Sequence, residues 1–335
     1  MHPELFQIPF SDLTVKSYGL MMVIGFLAAI ALIRYLSRDI TPDPQLITNA
    51  ALYSLIAGVV GARLFYVIHH FGQFSGRAFS VFAIWQGGLE LLGGVILAIT
   101  VIVLYLRYHK LAVRRYLDIL AIGLMLALVF GRIGCFLNGC CFGKPTGWPL
   151  AVRFPYGSLA YYSQVKPDLK RNRLEPQLKL PADFFGYVEE NGLWYSELKP
   201  YEDLTAEQKV LVDRGPFRSL PVHPSQLYAS ANGVFLCLIL YFSWRRSQKA
   251  GSSRGRRGRR RLFAAPGCTF GLMFVLYGPT RFFLEFLRDD NPFEYAWWAL
   301  YKGGTISQNM GIYLVILGVV LMVIFQKTRV GAAWS

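Results

Sequence analysis

Four side chains in one apolar stretch have the types and spacing of an anion site. Tyr277, Arg281, Glu285 and Arg288 follow one another at intervals of four, four and three residues, which sets all four on one face of a helix. An arginine held in place by a carboxylate suits a phosphate, because its planar fork binds two oxygens at once. An Arg281–Glu285 ion pair with interfacial anchors would give the same spacing. Ionised groups are expensive inside a bilayer, so each one within an apolar span is a candidate for function. These are Arg63, Asp118, Arg132, Arg281 and Glu285.

Arg132 stands in the stretch GRIGCFLNGCCFGKPTGW, from Gly131 to Trp148. Its glycines permit close helix packing and backbone turns around a ligand, which predicts a membrane-embedded loop with Arg132 facing a cavity. The five cysteines of the chain are odd in number, lack metal-finger spacing and make no disulfide framework. Cys140 and Cys141 are adjacent and not expected to bond each other. With Cys135 they are read as packing residues, a bond to another cysteine remaining open on an oxidising side. A metal site would need two further ligands, and none is identified, so neither metal nor cofactor is expected.

Apolar spans must position these groups. The chain has 335 residues, 54% apolar and only 16% charged, against about a quarter charged in soluble proteins. Mean hydropathy is +0.36. This excludes a disordered chain, a secreted disulfide scaffold and an ordinary soluble enzyme. Seven runs are long enough to cross a bilayer as helices: Tyr18–Leu36, Leu46–His69, Leu89–Leu106, Tyr116–Leu137, Leu227–Trp244, Pro266–Phe286 and Met310–Phe325. Met1–Ser17 carries Glu4 and Asp12 and lacks the basic start of a secretory signal, so the first span is expected to remain in the mature protein.

The net charge of +15 is a topology signal before it is a nucleic-acid signal. Arg34, Arg38, Arg107, Lys110, Arg114 and Arg115, nine residues between Arg245 and Arg261, and Lys327 and Arg329 make seventeen Lys and Arg on one side. The short segments of the other side hold four: Lys16, Arg77, Arg288 and Lys302. Cytoplasmic loops carry the excess, so the N-terminus and the long Asn138–Leu220 segment are expected outside and the C-terminus inside. The run from Arg254 to Arg261 has no interleaved aromatics and is read as a cytoplasmic loop against anionic headgroups. On this topology Arg63, Arg132, Arg281 and Glu285 share the outer half of the membrane. Tyr18, Gly87, Gly88, His223, Ser225, Gln226, Ser307 and Gln308 lie at the same level. Asp118 falls at the inner end of its span and is read as structural, pairing with a loop arginine.

Several blocks together resemble one family. GRIGCFLNG at Gly131–Gly139 is similar to the signature GRxGNFxNxExxG of prolipoprotein diacylglyceryl transferases. GARLFYV at Gly61–Val67, WQGGLELLGG at Trp85–Gly94, HPSQLY at His223–Tyr228 and YGPTRFFLEFLRDDN at Tyr277–Asn291 resemble further family blocks, in order and each at the corresponding span. The chain departs from the pattern at three positions. Cys135 stands for the signature Asn, Cys140 for a Glu, and Leu92 where many relatives have His or Tyr. The outer segment between Trp148 and Leu220 is also longer than in compact members.

The resemblance implies an all-α, seven-span enzyme of the bacterial inner membrane. Helices 1–4 would occupy residues 1–137, a periplasmic segment 138–222, and helices 5–7 residues 223–335, with a basic cytoplasmic loop at 245–261. It implies transfer of diacylglyceryl from phosphatidylglycerol to the lipobox cysteine of a prolipoprotein, forming a thioether and releasing glycerol 1-phosphate. Its expected partners are that lipid, prolipoprotein signal peptides and membrane lipids, without nucleic acid. Arg132 and Arg281 are expected at the phosphate, with Glu285 orienting Arg281 and Tyr277 donating a hydrogen bond. Tyr18, Asn138 and Gly143 are implied to line the site. His223 and Gln226 would shape access, and Arg63 and Arg288 would bind substrate. With Leu92 unable to take a proton, the field of Arg132 and Arg281 is expected to generate the thiolate, with His223 or Glu285 as accessory acceptor. A transporter or flippase and a scaffold are the rival readings. No internal repeat favours the first.

Overall fold

Each of the seven apolar runs folds as a helix. The computed structural model describes residues 4–7, 14–41, 43–71, 81, 82, 88, 90–190, 193–252 and 265–328. A short hairpin of β1 (Glu4–Gln7) and β2 (Thr14–Lys16) precedes α1 (Ser17–Ser37), α2 (Gln45–His69), α3 (Leu91–Tyr108) and α4 (Val113–Asn138). The following segment holds α5 (Leu159–Val165), β3 (Phe185–Glu190), β4 (Leu193–Leu198) and α6 (Ala206–Asp213). Then come α7 (Ser225–Ser252), α8 (Cys268–Glu285) and α9 (Ile306–Lys327). Among the described residues, α1, α2, α4, α7 and α9 are long and apolar enough to cross a membrane. The chain is a mostly helical, polytopic membrane protein. Arg77, Trp85–Gly87, Leu89, Arg254–Arg261 and Arg329 lie outside the described residues.

The chain divides into two compact units. One comprises Met1–Leu27, Leu124–Ile239 and Gly271–Val320; the other comprises Ala28–Gly123, Leu240–Phe270 and Leu321–Ser335. In the latter, α2 and α3 pack through glycines. A Cβ on Gly61 would fall 2.5 Å from the Gly93 carbonyl oxygen, so small residues set the helix separation. Arg63 is buried there and donates to the Val81 carbonyl at 2.8 Å and the Gly88 carbonyl at 3.1 Å. Asp118 accepts the Gly267 and Phe270 amides at 2.8 and 3.0 Å. Among the described residues its partners are therefore the unpaired amides at the start of α8, where a carboxylate is favourable, and no arginine is among them.

In the former unit, the segment between α4 and α7 builds its own apolar core. Tyr161, Val165, Leu178 and Leu198 form one cluster, and Phe184, Leu204 and Val212 a second. β3 and β4 pair antiparallel, from Phe185 opposite Leu198 to Glu190 opposite Leu193. Thr205 and Gln208 form a capping box that opens α6. Buried Gln164 makes both bonds a backbone amide asks for, accepting from the Leu220 N–H at 2.8 Å and donating to its carbonyl at 3.2 Å. The segment also grips the chain beyond α8. Arg173 pairs with Asp289 at 2.8 Å and Arg171 with the same carboxylate at 3.4 Å, while the Phe293 amide donates to the Lys170 carbonyl at 3.2 Å.

Candidate functional site

The signature loop begins where α4 stops, and its sequence dictates the stop. Gly139 takes a left-handed conformation, φ +73°, which costs glycine nothing. The Gly139 amide donates to the Phe136 carbonyl at 3.2 Å and the Cys140 amide to the Cys135 carbonyl at 3.1 Å. This is the Schellman pattern, and it turns the chain back so that Cys140 lies beside Cys135. Cys141 also has positive φ, +60°. The sulfur atoms of Cys135, Cys140 and Cys141 all lie within 4.8 Å of one another, and the three are free thiols.

The loop then threads between two other segments. Gly143 N–H donates to the His223 carbonyl at 3.1 Å, and Lys144 N–H to the Leu287 carbonyl at 2.8 Å. His223 N–H donates to the Lys144 carbonyl at 3.1 Å, and Asp289 N–H to the Phe142 carbonyl at 3.2 Å. A Cβ on Gly143 would sit 2.5 Å from the His223 oxygen and 2.8 Å from that of Leu287, so no other residue fits. From the start of α7, Ser225 Oγ donates to the Cys141 carbonyl at 2.6 Å and Gln226 Nε2 to the Cys140 carbonyl at 2.7 Å. Gly143, His223 and Gln226 thus act on the loop's backbone. The His223 ring itself stands 3.5 Å from the Tyr228 hydroxyl.

α8 carries the charged face. Arg281 Nη1 lies 2.8 Å from Glu285 Oε2, and its Nη2 donates to Ser307 Oγ at 2.6 Å. Glu285 is only 3% exposed. Its other oxygen accepts from Thr305 Oγ1 at 3.0 Å and from Asn291 Nδ2. Arg281 is therefore held on two sides by groups that are held in turn. Arg288 lies 3.8 Å from Glu285 and makes a bidentate pair with Asp290, at 2.9 and 2.7 Å. The fork assigned from sequence to substrate is thus occupied by a carboxylate.

Arg132 has neither a hydrogen-bond nor an ion-pair partner among the described residues, and the Tyr18 and Tyr277 hydroxyls have no hydrogen-bond partner among them. These groups nonetheless converge. Arg132 is within electrostatic reach of Tyr277, Cys141, Cys135 and Arg288. Arg281 is within reach of Arg288, Glu285, Arg132 and Tyr277. Tyr18 is within reach of the three cysteines and Arg132, and Asn138 lies beside the Cys140 thiol, which donates to the Cys135 carbonyl at 3.7 Å. Hydrogen bonds to Cys135 and Cys140, then the charges of Arg288 and Arg132, hold the Cys141 thiol below its ordinary range. Three guanidiniums face two carboxylates here. The unmatched positive charge suits a monoanion and favours a dianion more.

Of the residues expected from sequence, Tyr18, Arg132, Asn138, Gly143, His223, Gln226, Tyr277, Arg281, Glu285 and Arg288 come together in one unit. Arg63 belongs to the other and is not among them. The polar residues that hold Glu285 and Arg288, namely Asp290, Asn291 and Thr305, went unassigned in the sequence. The available signal was the polar run Arg288–Asn291, directly after a buried carboxylate.

A family model described as prolipoprotein diacylglyceryl transferase matches residues 3–324. Relatives named phosphatidylglycerol–prolipoprotein diacylglyceryl transferase are similar along almost their whole length. The one from Roseobacter denitrificans is 27% identical over 96% of this chain and 95% of its own. That from Burkholderia multivorans is 26% identical over 99% of both chains. That from Clostridium tetani is 24% identical over 95% of this chain and 96% of its own. With the signature loop and the α8 face so arranged, the chain belongs to the prolipoprotein diacylglyceryl transferase family.

Proposed function

We propose that this chain transfers the diacylglyceryl group of phosphatidylglycerol to a prolipoprotein cysteine, with Arg132 and Arg281 as the phosphate cradle. The observation that carries the reading is an asymmetry. Arg281 is fixed between Glu285 and Ser307, whereas Arg132, beside it, has no hydrogen-bond or ion-pair partner among the described residues. A prepositioned cation and an unpaired one together match a ligand that brings its own oxygens.

The acceptor sulfur attacks the glycerol carbon that bears the phosphoester. A sulfur–carbon bond forms, the carbon–oxygen bond breaks, and its electron pair leaves with the oxygen of glycerol 1-phosphate. The phosphodiester monoanion becomes a phosphomonoester with more negative charge. Arginines aimed at that phosphate bind the developing charge more tightly than the ground state, which is the condition for catalysis. Glu285 orients Arg281, and Tyr277 donates to a phosphate oxygen. Tyr18 and Asn138 line the acceptor side of the loop. Arg288, tied to Asp290, contributes charge and holds Gly143 across the isolated bridge between them.

On this reading the enzyme has seven spans in the bacterial inner membrane, with α3 and α8 added to the five long ones. Its N-terminus is periplasmic, its C-terminus cytoplasmic, and the 138–222 segment lies with the site on the periplasmic face. Charge asymmetry across the short segments supports this orientation. The purified protein, phosphatidylglycerol and a lipobox peptide test the reaction directly. The peptide cysteine should gain the mass of a diacylglyceryl group. Lipid movement without a covalent adduct would assign the chain to lipid transport instead.

A further inference from the structure

A thiol must become a thiolate before it can form the thioether, and the described site has no evident base for it. The arginine field is weaker than the sequence implies. Glu285 sits 2.8 Å from Arg281, and Asp290 takes the fork of Arg288, so each positive charge is largely neutralised at short range. The His223 ring is next to Tyr228 at 3.5 Å. What stands within reach of Arg132, besides Tyr277 and Arg288, is the cysteine cluster, through Cys141 and Cys135.

We propose that Cys135, Cys140 and Cys141 form a three-thiolate site for one zinc ion, and that its fourth position takes the acceptor cysteine of the substrate. This rests on the transferase reading above. Tetrahedral zinc holds sulfur at about 2.3 Å, so its ligands stand roughly 3.8 Å apart. The three sulfur atoms already lie within 4.8 Å of one another, and closing on an ion asks for a shift of about 1 Å. The requirement for further protein ligands disappears, because catalytic zinc keeps three protein ligands and an open position. The backbone is built for it. The Schellman turn at Gly139 sets Cys140 beside Cys135, and Ser225 and Gln226 clamp the carbonyls of Cys141 and Cys140. These bonds fix the loop independently of the thiols.

Three thiolates on a divalent cation leave one negative charge, and a fourth thiolate leaves two. Arg132, which has no counterion among the described residues, supplies compensating charge within reach of Cys141. A thiol that coordinates zinc is deprotonated outright, its proton passing to water. The sulfur then attacks the glycerol carbon, the carbon–oxygen bond breaks, and the neutral thioether, a poorer ligand, leaves the metal. No electron is gained or lost from any group.

The test uses full-length purified protein with cobalt in place of zinc. One cobalt per chain should bind and give sulfur-to-metal charge-transfer absorption with a tetrahedral ligand-field pattern. A lipobox peptide should shift that spectrum, and the same peptide with serine for its cysteine should not. Cys135→Ser, C140S and C141S should each abolish the three-sulfur spectrum. Because these variants could misfold, chelator-stripped wild-type protein provides the second arm. An unperturbed thiol has a pKa of about 8.5, so only a few per cent is ionised at neutral pH and stripping should slow transfer about ten- to thirtyfold. Readded zinc should restore it. The proposal is overturned by absence of the cobalt spectrum, by a spectrum indifferent to the peptide thiol, by transfer unchanged after stripping, or by a mass two hydrogens short that marks a disulfide within the cluster. Failure of the transferase reading would look different: no diacylglyceryl adduct with zinc-loaded or stripped protein, whatever the cobalt spectrum.

Discussion

Arg281 and Arg132 carry the same charge but have different structural obligations, and their variants should separate accordingly. Arg281 serves Glu285 through Nη1 and Ser307 through Nη2 at once. A lysine has one nitrogen and no fork. Arg281→Lys should therefore be nearly as damaging as Arg281→Ala, losing roughly 3 kcal/mol of transition-state stabilisation, about a hundredfold in single-turnover transfer to a peptide. Near-normal transfer by the lysine variant would show that a diffuse positive potential suffices. Arg281→Ala also removes the nearest cationic partner of a carboxylate that is 3% exposed. It should lower stability by about 1–3 kcal/mol, seen as a reduced unfolding midpoint in detergent. Arg132 has no hydrogen-bond or ion-pair partner among the described residues. Arg132→Ala should slow transfer comparably with the midpoint unmoved. A stability loss as large as that of Arg281→Ala would refute the assignment of Arg132 to the ligand. The spacing made Tyr277, Arg281 and Glu285 legible in sequence, because helical periodicity alone puts them on one face. That Arg288 is bound by Asp290 was not legible, since the pair forms where the helix has ended and no period applies.

The turn at Gly143 decides whether the signature loop, α7 and the end of α8 meet in register. Gly143 stands where a Cβ would strike two backbone oxygens, of His223 and Leu287. Neither can yield without breaking the bonds that join the loop to α7 and to the end of α8. Gly143→Ala should therefore lower both the unfolding midpoint and the transfer rate, by at least tenfold for the latter, as expected for sub-ångström misplacement of reacting groups. Gly147→Ala is the control, because nothing lies within 4 Å of a Cβ there, and it should behave as wild type. Equal tolerance at the two positions would mean that the loop is not clamped. Asp118 illustrates an element-scale role read only in part from sequence. The cost of a charge inside an apolar span required it to have a partner. The partners are the Gly267 and Phe270 amides, which proximity in the fold alone supplies. Asp118→Ala should cost about 1–2 kcal/mol as a lost helix cap, with transfer per folded molecule unaltered. A loss of transfer in fully folded protein would give Asp118 a catalytic part.

For the whole molecule, the asymmetry of seventeen basic residues against four in the short segments supports the orientation that the proposed reaction needs. Single cysteines placed along 148–220 should react with an impermeant reagent from the periplasm. Those placed along 245–261 should react only after the inner membrane is opened. Labelling of both from the same side would end the seven-span arrangement. The 138–222 segment also has a mechanical consequence. Through Arg171 and Arg173 it grips Asp289, next to the Arg288–Asp290 pair. Loosening it by Arg173→Ala should weaken transfer by a few-fold without touching substrate, which steady-state rates at saturating and limiting lipid can check.

Composition and periodicity by themselves determined that this is a helical membrane protein with seven apolar runs, because burying that much apolar chain in water is not possible and helical spacing is a local property. Ordered sequence blocks likewise carried the family. Only the tertiary structure decided which charges are spoken for. Glu285 and Asp290 neutralise Arg281 and Arg288, while Arg132 has no such counterion among the described residues. Only the tertiary structure, too, turned three cysteines that read as packing into one cluster of thiols. Whether two polar groups meet depends on distances across turns and between helices, and a one-dimensional pattern holds no record of them until the backbone has closed.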